Sequence, residues 1–381
     1  MDILFICADA NRAVMTNGKY YSQILDPVVD YCRIKSISHM SISLPFSSML
    51  PSATYSNSRT LNWAYLFLRH NTWRWLLSKR IKTKLVVGIN IPSELNSYAA
   101  DNGIKTIELF HGFGIGENDY IWGCSARKNV DVKREASIYI AYDKQSYETL
   151  RQSLGAKRIT VNLARHHFYD REEYSQLNLI DRIESKIERV FSASSNMTVL
   201  VSLQHGYDGS RSVLNGILDN GLLPGCLIEF IRDNPSINWI LKPHPVQIRS
   251  NMWPKIQDTL FEIFGKFENV SVIDFLDDDV FALLHFVDGH ITMMSGTVVE
   301  AAMLGVPSLG LCPTLRRGGI MQDAFQNEEA QELFFRGEAT IESITHFVNH
   351  ITLRRGGHAR GCRRPRNDVL PSAISYITAL L

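Results

Sequence analysis

The chain has 381 residues with a formal net charge of +1, 45% hydrophobic and 21% charged residues. That length exceeds one typical core and fits two domains of roughly 150–200 residues each, and so balanced a charge excludes nucleic acid as the main partner, since no overall basic field exists to hold phosphates. The six cysteines, Cys7, Cys32, Cys124, Cys226, Cys312 and Cys362, show no CxxC spacing, so they read as reduced thiols of an intracellular protein and exclude a disulfide framework or a zinc site.

Residues 3–8, ILFICA, predict a buried parallel strand whose carboxyl end carries Asp9 to Arg12. Asn17 to Tyr21 predicts a turn leading into a helix over residues 21–32, with Lys19 and Tyr20 near an acceptor. The first residues lack a basic leader followed by a long apolar stretch, and no run reaches ~18 apolar residues, so neither a signal peptide nor a membrane span is expected. Leu61 to Lys84 mixes three tryptophans with six cations. It reads either as an interfacial helix on anionic lipid or as a buried helix with a basic end.

Strands are expected at 85–90 and 105–110, the second ending in His111-Gly112-Phe113-Gly114-Ile115-Gly116-Glu117-Asn118-Asp119. Glycines there let the backbone pass close to a ligand, while His111, Glu117 and Asp119 supply titratable groups; a surface loop is the other reading. A strand at 138–142, a helix at 143–153 and a strand at 158–162 follow. Residues 170–195 predict a helix bridging two domains, with Ile180, Ile183, Ile187 and Val190 on one face.

The second half repeats strand and helix: 198–203, 211–232, 238–242, 252–266, 270–274, 279–286, 289–293, 298–304 and 308–311, then helices near 327–336 and 340–353. Strands alternating with helices imply a parallel sheet covered on both faces. The Asp-rich run before Val280 reads as a solvated loop or a helix cap cluster. Residues 354–367 hold six arginines without apolar periodicity and predict a basic tail able to touch anionic phospholipid.

Three strand ends in this half carry polar residues. The first ends in Tyr207-Asp208-Gly209, the second in Lys242-Pro243-His244-Pro245, where two prolines restrict the backbone around the imidazole. The third is Ser295-Gly296-Thr297, opening a helix with Glu300 about one turn inward. A helix start with free N–H groups and hydroxyls suits a phosphate, and Glu300 suits sugar hydroxyls. An ordinary Ser/Thr cap with a solvated glutamate remains the other reading.

The order Tyr-Asp-Gly, Lys-Pro-His-Pro, Ser-Gly-Thr-x-x-Glu resembles bacterial sialyltransferases and the related Kdo and capsule-type transferases of the GT-B fold, over roughly residues 198–311. Tyr207 stands where an acidic residue is common in that family, and His111-Gly112 resembles the amino-terminal domain of capsule-type transferases. The resemblance implies an α/β protein of two Rossmann-like domains with parallel sheets facing across a cleft: 1–190 on the acceptor side, 191–353 binding the nucleotide sugar, and a basic tail 354–381. It implies a metal-independent glycosyltransferase that moves sialic acid, Kdo or a similar acid from a CMP-sugar to an oligosaccharide or lipid-linked acceptor of bacterial surface polysaccharide. In that reading Asp208 and His244 are catalytic, and Lys242, Pro245, Ser295, Gly296, Thr297 and Glu300 bind nucleotide. His111, Gly112, Glu117 and Asp119 meet the acceptor, and no metal or separate cofactor is needed. The expected place is the cytoplasm, with peripheral contact at the inner membrane. Three alternatives stay open: a capsule or teichoic-acid-type transferase using CDP-glycerol or a UDP-sugar, a UDP-sugar epimerase, and a non-catalytic nucleotide-sugar-binding protein.

Overall fold

Strands such as Ile3–Ala8 and Leu85–Ile89 are continuous apolar runs, as a parallel sheet covered on both faces requires. The computed structural model describes residues 1–8, 14–16, 19–22, 24–44, 82–115, 132–155, 159–164, 179–191, 196–203, 218, 221–248, 252–272, 274–276, 278–355 and 370–381. The chain divides into two compact units, Met1–Asp170 with Asp368–Leu381, and Arg171–Asn367.

In the first unit, strands β1 (Ile3–Ala8), β4 (His39–Leu44), β5 (Leu85–Ile89), β6 (Lys105–Leu109), β7 (Ile138–Ala141) and β8 (Thr160–Leu163) form one parallel sheet in the order β4-β1-β5-β6-β7-β8. Helices α1 (Asp26–Ile34), α2 (Ser93–Asp101) and α3 (Lys144–Gly155) connect them. Leu4, Ile6, Ile42, Val86, Ile91 and Leu95 form one core cluster, and Phe110, Ile115, Tyr139, Leu150 and Leu154 belong to another. Each such side chain contributes about 1.5–3 kcal/mol by leaving water. The final helix α12 (Ala373–Thr378) belongs to this unit, its Tyr376 hydroxyl donating to the Leu163 carbonyl at 3.5 Å.

In the second unit, β9 (Met197–Ser202), β10 (Ile237–Lys242), β11 (Val270–Ser271), β12 (Gly289–Thr292), β13 (Ser308–Gly310) and β14 (Phe334–Arg336) form a second parallel sheet in the order β11-β10-β9-β12-β13-β14. Its helices are α4 (Leu179–Val190), α5 (Gly225–Asp233), α6 (Pro245–Ile248), α7 (Trp253–Phe264), α8 (Val280–Leu284), α9 (Thr297–Met303), α10 (Gln326–Ala330) and α11 (Ile341–Arg355). Two six-stranded parallel sheets with interleaved helices make a two-domain Rossmann-like fold of the GT-B type.

Several elements differ from the sequence expectation. An antiparallel hairpin, β2 (Val14–Thr16) with β3 (Lys19–Tyr21), stands where the helix over 21–32 was expected to begin, and α1 starts only at Asp26, with Pro27 early in its first turn. The helix expected over 327–336 ends at Ala330, because Glu332 takes a positive φ of 58° and Phe334–Arg336 then pairs with β13. The units divide at Asp170 where 190 was expected, and α4 packs on the second unit. Segments 61–81 and 356–367, with their basic and aromatic residues, lie outside the described residues. Among the described residues no helix is long and apolar enough to cross a membrane.

Of the Asp-rich run, Asp274 is exposed, whereas Asp278 and Asp279 are buried, and Asp279 is the helix cap expected. Asp278, only 2% exposed, accepts from Arg182 at 2.9 Å and from Lys186 at 2.6 Å, both on α4. Asp279 caps α8, its Oδ1 accepting from the N–H groups of Phe281 at 2.7 Å and Ala282 at 3.2 Å. Removing a partner from a buried charge costs roughly 3–5 kcal/mol, because the remaining charge is left without compensation. Lys186→Met leaves Arg182 in place, so a loss of about 2 kcal/mol is expected in urea unfolding. An Asp278→Asn change should then cost less in the Lys186→Met background than in the unaltered protein; equal costs would show that the pair is not coupled.

Candidate functional site

Two neighbouring strands of the second sheet, β9 and β12, are where the strand order reverses, since later strands add beyond β9 on one side and beyond β12 on the other. Connections leaving such a pair part company and open a crevice at the carboxyl ends, the usual ligand position in open α/β sheets. The connection after β12 is Met293-Met294-Ser295-Gly296, leading into α9. The connection after β9 begins at Leu203 and carries Asp208, which lies outside the described residues, as do Glu117 and Asp119.

At the start of α9 the Ser295 hydroxyl donates to Thr297 Oγ1 at 3.0 Å and accepts from the Thr297 N–H at 3.2 Å. Gly296 sits at the cap position with φ −57° and makes no side-chain cap bond. The turn has small side chains and two adjacent hydroxyls, all half-buried.

Glu300 is 7% exposed, not a solvated glutamate. Burial, helped by the negative charge of Asp279, pushes its carboxyl up to about 8. Its place one turn inside α9 puts this protonated carboxyl at the strand-order reversal, one helical turn from the Ser295 and Thr297 hydroxyls. Asp279 was not singled out from the sequence as part of this site; its influence follows from the packing of α8 beside α9.

His244 follows β10 and caps the short helix α6. Its carbonyl accepts from Gln247 N–H at 2.8 Å, while its own N–H donates to Gln247 Oε1 at 2.8 Å, the glutamine half of a capping box. Pro245 occupies the first helical position, where no backbone donor is needed. The imidazole is thereby carried by a backbone fixed on both sides. Lys242 directs its ammonium at 2.8 Å to the Phe275 carbonyl and also donates to Leu276, so it ties the end of β10 to the segment after β11. In the first unit, His111 and Gly112 follow β6, with Gly112 buried and His111 half-buried.

Beneath the reversal lies a polar residue that the sequence hid within an apolar strand. His290, fully buried on β12, has its ring nitrogens 3.0 Å from the hydroxyls of Ser308 on β13 and Ser202 on β9. Burial pushes its pKa down to about 3, so it is neutral and couples three strands by hydrogen bonds. Among the described residues no group of three or more His, Cys, Asp or Glu side chains is placed to hold a metal ion.

No protein-family model matches the sequence, and no curated protein matches it. Solved structures do. The UDP-GlcNAc 2-epimerase of Methanocaldococcus jannaschii, in complex with UDP-GlcNAc and UDP, matches with a TM-score of 0.60 at 15% identity, over 100% of this chain and 99% of that one. The UDP-GlcNAc 2-epimerase of Neisseria meningitidis, bound to UDP-GlcNAc, gives 0.60 at 14% identity, over 100% and 98%. A structure of the wall teichoic acid polymerase TagF, a variant soaked with CDPG, gives 0.59 at 12% identity, over 100% and 88%. At these identities the likeness is one of fold: the chain has the GT-B-like fold of these epimerases and transferases.

Proposed function

We propose that this chain is a transferase that binds a pyrimidine-nucleotide-activated donor in the second unit and moves the activated group to a carbohydrate acceptor. The observation that carries the reading is Glu300, a buried carboxyl whose pKa is raised to about 8, one helical turn from the Ser295 and Thr297 hydroxyls at the strand-order reversal. In this reading Glu300 accepts from the ribose hydroxyls. The hydroxyls and N–H groups at the start of α9 hold the phosphate, and His244 donates to the leaving phosphate as its charge develops. Asp208 is the general base for the acceptor hydroxyl, and His111 and Gly112, with Glu117 and Asp119, serve the acceptor.

The donor class follows the neighbours more than the motif. Structures of this fold hold UDP-GlcNAc or were soaked with CDPG. A UDP-sugar or a CDP-linked group therefore ranks ahead of CMP-activated sialic acid or Kdo, the donors suggested by the sialyltransferase-like motifs. A second reading, a UDP-sugar 2-epimerase, is favoured by the full-length match to the two epimerases. It differs in needing no acceptor.

Nucleotide release from UDP-sugars, CDP-glycerol, CMP-sialic acid and CMP-Kdo, followed by chromatography, separates these readings. Release lost in His244→Ala supports the transferase. A sugar epimer formed from UDP-GlcNAc without an acceptor replaces it by the epimerase, and calorimetry showing no affinity for UMP, UDP, CMP or CDP would falsify both.

Glu300 gives a further expectation whose sign is fixed by its pKa. The folded value, about 8, lies above the ordinary 4.5, so stability is fully present below about 4.5 and is lost as pH rises toward 8. At about 1.4 kcal/mol per unit, the loss at pH 7 is on the order of 3 kcal/mol. Glu300→Gln removes that titration, so the variant should melt higher than the unaltered protein at pH 7–8, the gap closing toward pH 4.5. It should bind nucleotide more weakly, and the rise in the parent's affinity between pH 7 and 9 should vanish. A variant that melts lower at pH 8 would show that Glu300 is an ordinary structural carboxyl.

A further inference from the structure

His111 stands at the carboxyl end of β6, and α3 fastens the four residues after it to the core of the first unit. The Ser146 hydroxyl donates to the Gly112 carbonyl at 3.0 Å and accepts from the Ile115 N–H at 3.2 Å, bridging the turn from one end to the other. One helical turn on, the Thr149 hydroxyl donates to the Ile115 carbonyl at 2.8 Å. Asp143, just before α3, accepts from the Ser146 N–H at 2.9 Å. All three polar side chains are buried.

The turn itself has little freedom. Gly114 takes a φ of +66°, where a side chain would strain the backbone. A Cβ at position 112 would lie 2.3 Å from Ile115 Cδ1, so any other residue there has to displace the Ile115 side chain. The Phe113 ring lies 6.2 Å from that of Tyr142, next to Asp143. One helix thus supplies hydroxyls to both ends of a turn whose first neighbour is an imidazole.

We propose that Ser146, supported by Asp143 and Thr149, is a positioning residue that fixes the orientation of His111, the group that the transferase reading gives to the acceptor. The role given to His111 rests on the transferase reading, whereas the fastening of its turn does not. A merely structural anchor would contribute stability without altering the imidazole; a positioning residue must change the environment and use of His111.

The test uses the full-length protein with isotopically labelled histidine, the His111 signals being assigned by their loss in His111→Gln. Ser146→Ala should move the titration midpoint of His111 and broaden its signals while leaving those of His290 unchanged. Thr149→Val, which keeps shape and removes the hydroxyl, should act in the same direction, and Thr149→Ser should restore the parent behaviour. With an active donor pair, kcat should fall ~10–100-fold, as a misplacement of about 1 Å commonly does, while KM for the donor stays unchanged. Folded Ser146→Ala protein with parent His111 titration and parent kcat overturns the proposal. If Ser146→Ala does not fold, the Thr149→Val and Thr149→Ser pair decides by the same readouts. If the parent protein transfers nothing, the transferase reading fails, and the histidine titrations alone decide whether Ser146 orients His111.

Discussion

The constraint on which the second unit depends is the reversal of strand order between β9 and β12. Strand pairing sets Gly289 opposite Val199 and Thr292 opposite Ser202, so the two strands finish level at the carboxyl edge. From β9 the next strand, β10, lies on one side and from β12 the next, β13, lies on the other, and the carboxyl edge of such a reversal is the usual ligand position in open α/β sheets. Everything that points to chemistry is a consequence of which residues occupy those exits. Small residues follow β12, and the proline-bounded histidine follows β10. The neutral His290, bonded to both flanking strands, holds the three strand ends in register from below.

Glu300 shows how that frame is turned to use. Asp279 stabilises α8 by capping it, and the same carboxylate discourages ionisation of Glu300. A fold selected for stability alone would place an apolar residue at position 300, since a buried carboxyl with a raised pKa lowers stability where it is charged. That it stands at the reversal, one turn from paired hydroxyls, is the kind of local inconsistency expected at a binding site.

The sequence made the alternation of strand and helix legible because strands such as β1, β5 and β9 are almost continuous apolar runs, and the long helices carried clear periodicity. Strand β4, HMSISL, was missed because its polar residues interrupt the run, and β14 because three residues are too few to outweigh a helical neighbourhood. Spacing alone marked Ser295, Thr297 and Glu300, but the burial of Glu300 comes from α8, which lies beside α9 only in the folded chain. Asp278 was misread for the same reason: its partners Arg182 and Lys186 lie 96 and 92 residues away, beyond the reach of any local pattern. Lys242 was legible as a strand-end cation, yet its bonds to the carbonyls of Phe275 and Leu276 depend on a neighbouring strand.

The two histidine turns share a construction although they lie in different units. After β10, a helix start holds the chain around His244 through Gln247; after β6, a helix start holds the chain beyond His111 through Ser146 and Asp143. In each case side chains of the first helical turn bond the backbone of the turn, and the imidazole is carried by a rigid segment. Cations at the edge of the second sheet are likewise engaged in structure. Lys242 bonds carbonyls, and Arg336 reaches the carbonyls of Leu315 and Ala324 as well as Glu329. In the proposed reaction, relief of leaving-group charge is assigned to the His244 ring, the paired hydroxyls and the N–H groups at the start of α9. Fixed donors of this kind need little reorganisation as charge develops, so a site built from hydroxyls, backbone and imidazole suits transfer from a nucleotide-activated donor.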